Sequence, residues 1–274
     1  MNRFSLSALR AALVGLLLAA PALHPALAAP FEIAATPSRF EVSTSAGKRL
    51  GQSLEISNLG AEATEVSMRT LDWSLSPEGD VTYFDALQPG SCRPWVTLER
   101  RTLKVPARGK ASFRFQVDPP ADAPRGECRF MVAIEGVEPA YRADIQKGGA
   151  SLALPVTGRL AVVVYVALNG AEPKITLSQV GMKEAGGKRT PVVTVSNEGD
   201  AHGRLDGALQ AVDARGTEFE MVPDGSPILP GQKRSLVLNA RGEGSKPVQP
   251  VYPVKVKGVV DWDKGGFKVE AELR

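Results

Sequence analysis

The sequence predicts an all-β protein made of two immunoglobulin-like β-sandwich domains. Three observations carry that expectation. Apolar and polar residues alternate with period two over most of the chain after residue 28. Turn-forming residues interrupt the alternation at short intervals. One pattern of strand and turn occurs twice, in the same order.

The N-terminus comes first in the chain and sets the compartment. Residues 1–10 hold Arg3 and Arg10 and no acid, and residues 11–20 are apolar. That run is too short for a membrane helix of about 20 residues, and Pro21 and Pro25 break it. Ala26-Leu27-Ala28 then offers the small-x-small pattern of a leader peptidase site. Residues 1–28 therefore read as a signal peptide cleaved after Ala28, with the exported chain starting at Ala29-Pro30; the alternative is an uncleaved N-terminal anchor. No later stretch is apolar for long enough to span a membrane.

Charge excludes one class of partner. The chain has 33 Lys and Arg against 30 Asp and Glu, and without Arg3 and Arg10 the balance is 31 to 30. A near-neutral chain exerts no general pull on nucleic acid.

The alternating runs at 39–44, 53–57 and 111–117 read as strands, separated by turns at Asn58-Leu59-Gly60, Pro77-Glu78-Gly79-Asp80, Gln88-Pro89-Gly90 and Pro106-Ala107-Arg108-Gly109. No amphipathic helix is expected after residue 28. The repeat pairs Leu54-Glu55-Ile56-Ser57-Asn58-Leu59-Gly60 with Val193-Thr194-Val195-Ser196-Asn197-Glu198-Gly199. Further on, Val105-Pro106-Ala107-Arg108-Gly109 finds its counterpart in Leu229-Pro230-Gly231-Gln232. The expected domains are residues 29–168 and 169–274, joined around Asn169-Gly170. Trp73 and Trp95 read as strand-borne core anchors of the first domain.

Cys92 and Cys128 are the only cysteines. In an oxidising compartment they are expected to pair, which would stabilise the fold by roughly 3–4 kcal/mol on the chain-entropy account. The alternative is two buried thiols.

Catalytic chemistry is poorly supplied. His24 leaves with the leader, so His202 is the one histidine of the exported chain, and the chain has no Gly-x-Ser-x-Gly elbow to supply a nucleophile for it. One histidine and two pairing cysteines make a poor transition-metal set, and Asp200 and Asp206 lack the spacing of a calcium loop. Residues 181–190 superficially resemble a phosphate-binding loop, but the lysine falls one residue late and a strand follows. They read as a hairpin loop. No enzyme activity, cofactor or metal is expected.

Residues 150–168 stand apart. Leu152, Leu154 and Val156 fall on one face of the first part, and the second part is apolar on both faces, as in a strand between two layers. The reading is one long strand. Pro155 cannot donate a ladder hydrogen bond, which makes that first part a sheet edge. Such an edge is either covered or used to pair with another chain.

On these residues the chain resembles the periplasmic pilus-assembly (PapD-like) chaperone family, as a divergent member, over most of residues 30–274. Arg39, in Thr36-Pro37-Ser38-Arg39-Phe40, resembles the family's early arginine, and Ser57-Asn58 its strand-ending asparagine. Leu152, Leu154 and Val156 resemble the residues that members lend to an incomplete subunit, with Val164-Tyr165 near the aromatic end of that strand. Where members carry a lysine, this chain has Ala161 or Val162, and Arg159 is a displaced cation. The cysteine pair is also not general in the family. The resemblance implies two immunoglobulin-like domains, a periplasmic location, pilin-like secreted subunits as partners and an outer-membrane usher as a further one. It implies subunit binding through Arg39, Leu152, Leu154, Val156 and Arg159, without cofactor. The competing reading is an exported structural or adhesive immunoglobulin-like module.

Overall fold

Alternation along the chain becomes strands almost throughout. A computed structural model describes residues 31–137, 141–147, 150–156, 158–185 and 187–274; the leader-like residues 1–28 lie outside them. The first half contains β1 (Ile33–Thr36), β2 (Arg39–Thr44), β3 (Leu50–Asn58), β4 (Thr64–Leu75), β5 (Val81–Phe84) and β6 (Val96–Leu98). It continues with β7 (Thr102–Val105), β8 (Lys110–Val117), β9 (Gly126–Gly136), β10 (Tyr141–Lys147), β11 (Ala150–Val156) and β12 (Arg159–Leu168). The second half contains β13 (Ile175–Ala185), β14 (Lys188–Asn197), β15 (Leu209–Val212), β16 (Glu218–Pro223), β17 (Lys233–Arg241), β18 (Val254–Trp262) and β19 (Gly265–Leu273). Among the described residues the only helical pieces are two short 3-10 turns, and no helix is long and apolar enough to cross a membrane.

The chain is a pair of β-sandwiches. In the first, a sheet ordered β1-β3-β8-β6 faces one ordered β2-β12-β9-β4-β5, with β7 also on β4. The opening segment serves both layers: β1 pairs antiparallel with β3, and β2 crosses over to pair parallel with β12. Between the layers Phe40, Phe115 and Phe130 meet edge to face, with ring centroids 5.2 and 5.9 Å apart, a geometry that aligns ring quadrupoles favourably. Cys92 and Cys128 are joined as a disulfide across this core, with Cα atoms 5.3 Å apart. Trp95, expected in a strand, closes the 3-10 turn Arg93–Trp95 instead. Cys92, tethered just before it, and Pro94 within it hold the chain in a turn there.

In the second sandwich the sheet runs β13-β14-β17-β16-β15-β18-β19. It curls because β17 turns a corner, pairing with β14 through residues 233–237 and with β16 through residues 238–241. Met221, Ile228 and Leu236 fill its centre. Residues 181–190 form the β13–β14 hairpin, as the strand after them required.

The repeated Ser-Asn pattern has a structural meaning. Asn58 and Asn197 are buried, at 4% and 1% exposure. Each accepts the amide of the glycine two residues on at 2.9 Å, Gly60 and Gly199 respectively. Each also donates its amide to backbone carbonyls, those of Glu62 and Pro106 for Asn58 and the buried ones of Ala201 and Ile228 for Asn197. The backbone amide of each donates to the proline turn that forms the second part of the repeat, at Gly109 and at Gln232. One asparagine thus ties two turns together in each sandwich.

Asn197→Ala should lower unfolding stability by about 2–4 kcal/mol, since it orphans several buried groups at about 1–3 kcal/mol each. Urea unfolding measures this, and Asn197→Asp should not rescue it, because a carboxylate cannot donate to the carbonyls of Ala201 and Ile228. Reducing the disulfide, which spans 36 residues, should cost roughly 4 kcal/mol in the same assay.

Candidate functional site

The β9–β12 hairpin is longer than the sandwich that carries it. β12 pairs with β9 from Arg159 to Leu168, and beyond them β10 and β11 continue as a two-stranded ribbon. Residues 150–168, read from sequence as one strand, are therefore two. The break follows from Gly158: a Cβ there would lie 2.0 Å from the Cβ of Phe31, and a Cβ on Gly136 would meet the same ring at 3.5 Å. Gly136 and Gly158 form the root of the ribbon, bridged by a 3.4 Å backbone hydrogen bond, and Phe31 occupies the space that side chains would need.

Among the described residues β11 has a single neighbour. Leu152 stands opposite Ile145, Leu154 opposite Ala143, and Val156 opposite Tyr141, all on β10. The first part of β12 is open along the same border, since β2 joins it only from Val163 onward. A two-stranded ribbon is marginal in water by itself, and its free border presents unpaired N–H and C=O groups.

β12 explains its own sequence. Val162, Val164, Val166 and Leu168 point into the first sandwich, while Val163 and Tyr165 face a separate apolar cluster with Leu71, Trp73, Met131 and Leu229. Leu229 belongs to the second half. The strand is apolar on both faces because a sandwich core lies on one and the junction between the halves on the other. Trp73, expected as a core anchor, lies in this junction, edge to face with Tyr165 at 5.7 Å.

Polar contacts surround that cluster. Gln232 donates to the Leu75 carbonyl at 2.6 Å, Arg234 to the Pro77 carbonyl at 3.2 Å, and Arg125 pairs with Asp200 at 2.5 Å. On the remaining side, His202 from the loop between β14 and β15 enters the first half. Its ring stacks on Tyr165 at 3.8 Å. Nδ1 lies 2.5 Å from Glu127 and Nε2 3.4 Å from Glu41.

His202, Tyr165, Glu127 and Glu41 line a cleft of about 810 Å³ that also receives Arg39, Arg204 and Trp262. Arg39 stands across from Val163 on β12, half exposed, with its Nε donating to Glu41 at 2.8 Å. Arg204 donates to the same carboxylate oxygen at 2.8 Å. Glu41 is held at about 2, chiefly by the hydrogen bond from His202, with Arg204 adding to it and burial opposing. Burial pushes the Tyr165 phenol up to about 12.

Arg159 is elsewhere. It pairs with Glu135 at 2.5 Å, and Glu135 also receives Arg69 at 2.9 Å. Four residues of strand, about 13 Å, separate it from Val163, so Arg39 and Arg159 do not converge on one point. Leu152, Leu154 and Val156 share the ribbon border. The cleft residues Glu41, Glu127, His202 and Arg204 were not singled out as a group by sequence reading. Only His202 carried a signal, as the lone histidine of the exported chain.

No family model matches this chain, and no curated protein matches it. Several solved structures do. The YadV chaperone is 12% identical with a TM-score of 0.46, covering 88% of this chain and 100% of that one. The CupB2 chaperone of Pseudomonas aeruginosa is 13% identical at 0.45, covering 88% and 100%. The DraB chaperone of E. coli is 15% identical at 0.44, covering 90% and 98%.

Glu41 gives the cleft a signature in acid. Its value in the fold, about 2, lies below the ordinary 4.5, so its contribution to stability is complete above about pH 4.5 and is lost as pH falls towards 2. Glu41→Gln should flatten the stability profile over that window, as measured by urea unfolding at pH 2.5, 3.5 and 6.

Proposed function

We propose that this protein is exported through a leader at residues 1–28 to the periplasm and acts there as a chaperone for secreted, pilin-like subunits. In this reading it lends the open border of β11 and the start of β12 to a client whose own sheet lacks a strand. The observation that carries the reading is that, among the described residues, β11 has one ladder partner and an unpaired border. A client strand would satisfy those backbone groups, and the alternate residues Leu152, Leu154 and Val156 would enter its groove. The sequence resemblance at Arg39, at Ser57-Asn58 and along residues 152–156 points the same way. No cofactor or nucleotide enters the scheme, because strand pairing and apolar burial supply its free energy. An outer-membrane usher would receive the loaded complex.

Arg39 is the cleft group suited to a client's terminal carboxylate, because a guanidinium makes bidentate bonds with one. Two features of this cleft bear on that role: Val163 stands across from Arg39, and Glu41 already holds its Nε. A carboxylate arriving there must compete with Glu41. The domain division at residues 168 and 169 belongs to the same proposal, with the cleft at the junction.

The test is co-expression with a secreted pilin-like subunit, followed by purification of the complex from periplasmic extract. Leu154→Asp should lose the subunit almost completely, about 30-fold or more in affinity for a buried apolar anchor. Ala153→Ser, on the opposite face, should keep it. Arg39→Ala should weaken the same complex. Retention of the subunit by Leu154→Asp would leave an exported structural or adhesive module as the reading.

A further inference from the structure

His202 is the one histidine of residues 31–274, and both cysteines are bonded to each other. No other side chain in that stretch has an ordinary ionisation near pH 5–8. It also bridges the two halves on one side of their junction, beside the Arg204–Glu41 pair. Its side chain is 9% exposed, and both ring nitrogens face carboxylates, Glu127 on β9 and Glu41 on β2. Glu127 is 1% exposed, with Arg129 at 3.5 Å, and it also accepts the backbone amide of His202 at 3.0 Å. The remaining groups facing the ring are Tyr165 on β12, stacked on it, and Arg204 on its own loop, which shares Glu41. Arg39 on β2 also donates to Glu41, on the same oxygen.

Only the imidazolium can donate to both carboxylates. A neutral ring has one N–H. If that proton stays on Nδ1, the Glu127 bond survives and the Nε2 lone pair faces an anionic oxygen. If it moves to Nε2, a lone pair faces a carboxylate sealed from water. Either tautomer makes one contact repulsive and leaves Glu127 with less compensating charge in a desolvated place.

We propose that His202 is a proton-operated latch between the two halves, closed when the imidazolium bridges Glu127 and Glu41 and released when the ring is neutral. The opposite side of the junction has no group that titrates in the same range: it is held by Leu229, by Gln232 on the Leu75 carbonyl and by Arg234 on the Pro77 carbonyl. Arg204–Glu41 and Arg125–Asp200 also keep their charges. Release therefore loosens the cleft about a fixed side without separating the halves. Burial alone would lower the His202 value, but the Glu127 and Glu41 carboxylates reverse this and raise it above 6.5. The latch is thus complete below about pH 6.5 and is lost as pH rises through the raised value. The latch stands on the junction alone and holds whatever partner the open border takes.

The experiment uses the full chain with spin labels at Ser43→Cys and Asp263→Cys, both in the cleft lining, and histidine resonances followed by NMR. His202→Gln identifies which of the two histidine signals belongs to His202. At pH 5.5 the label distances should be narrowly distributed. At pH 8.5 they should spread, with a midpoint matching the His202 titration. His202→Gln should give the broad distribution at both pH values. Glu127→Gln should move the midpoint down by about one pH unit or more, and this reading survives even if His202→Gln fails to fold. Unchanged distances while His202 changes charge, or a His202 already neutral at pH 5.5, would overturn the latch. Neither result bears on strand lending, which the Leu154→Asp complex reads separately.

Discussion

β12 is buried from both sides, and the remaining architecture follows from satisfying that strand. One row of its side chains closes the first sandwich against Phe115 and Phe130. The other row, Val163 and Tyr165 with Trp73 and Met131 beside it, is an apolar face that water would penalise at roughly 25 cal/mol per Å². Leu229 from the second half covers it. The two sandwiches are coupled because a central strand of one has no other means of hiding its outer face. The same hairpin that supplies this strand then overshoots its sandwich and becomes the ribbon, so the ribbon and the junction are two ends of one element.

The junction's polar periphery differs in kind from its centre. Burying a carboxylate costs several kcal/mol unless charge and hydrogen bonds compensate it, and Glu127 is almost fully enclosed. Its compensation comes from Arg129 on its own strand and from the imidazole and backbone amide of His202 in the other half. Arg234 is handled differently, as a 4% exposed guanidinium bonded to backbone carbonyls of Pro77 and Pro227, and burial lowers its value. One side of the junction is thus held by a permanent cation on neutral acceptors and the other by a titratable ring on anions. That difference in chemistry gives the two sides different responses to pH.

Much of the fold was legible in the chain. Period-two alternation located β2, β3 and β8. The Asn-x-Gly repeat marked two turns that are built alike, because a buried asparagine is a compact way to satisfy a glycine amide and neighbouring carbonyls together. Apolarity on both faces of residues 160–168 signalled a strand between two layers. Trp95 went astray because strand propensity says nothing of a disulfide-tethered turn, and the break at Gly158 was hidden because its cause, Phe31, lies more than a hundred residues away.

The candidate site was legible in part, and the limit is physical. Alternation and Pro155 mark residues 152–156 as an edge locally, since both act through the strand's own backbone. Arg39 and Arg159 looked alike as cations near one strand, but cross-strand register separates them and gives each a different carboxylate. Glu41, Glu127 and the pair His202 and Arg204 are scattered over three segments, and the spacing between those segments carries no signal that sequence can express. Strand period, turn chemistry and the doubled pattern were determined by the chain itself, because they depend on near neighbours. Which anion faces which cation, and which apolar face meets Leu229, was decided only when two distant halves came into contact, because Coulomb attraction and burial depend on distance in space and not along the chain.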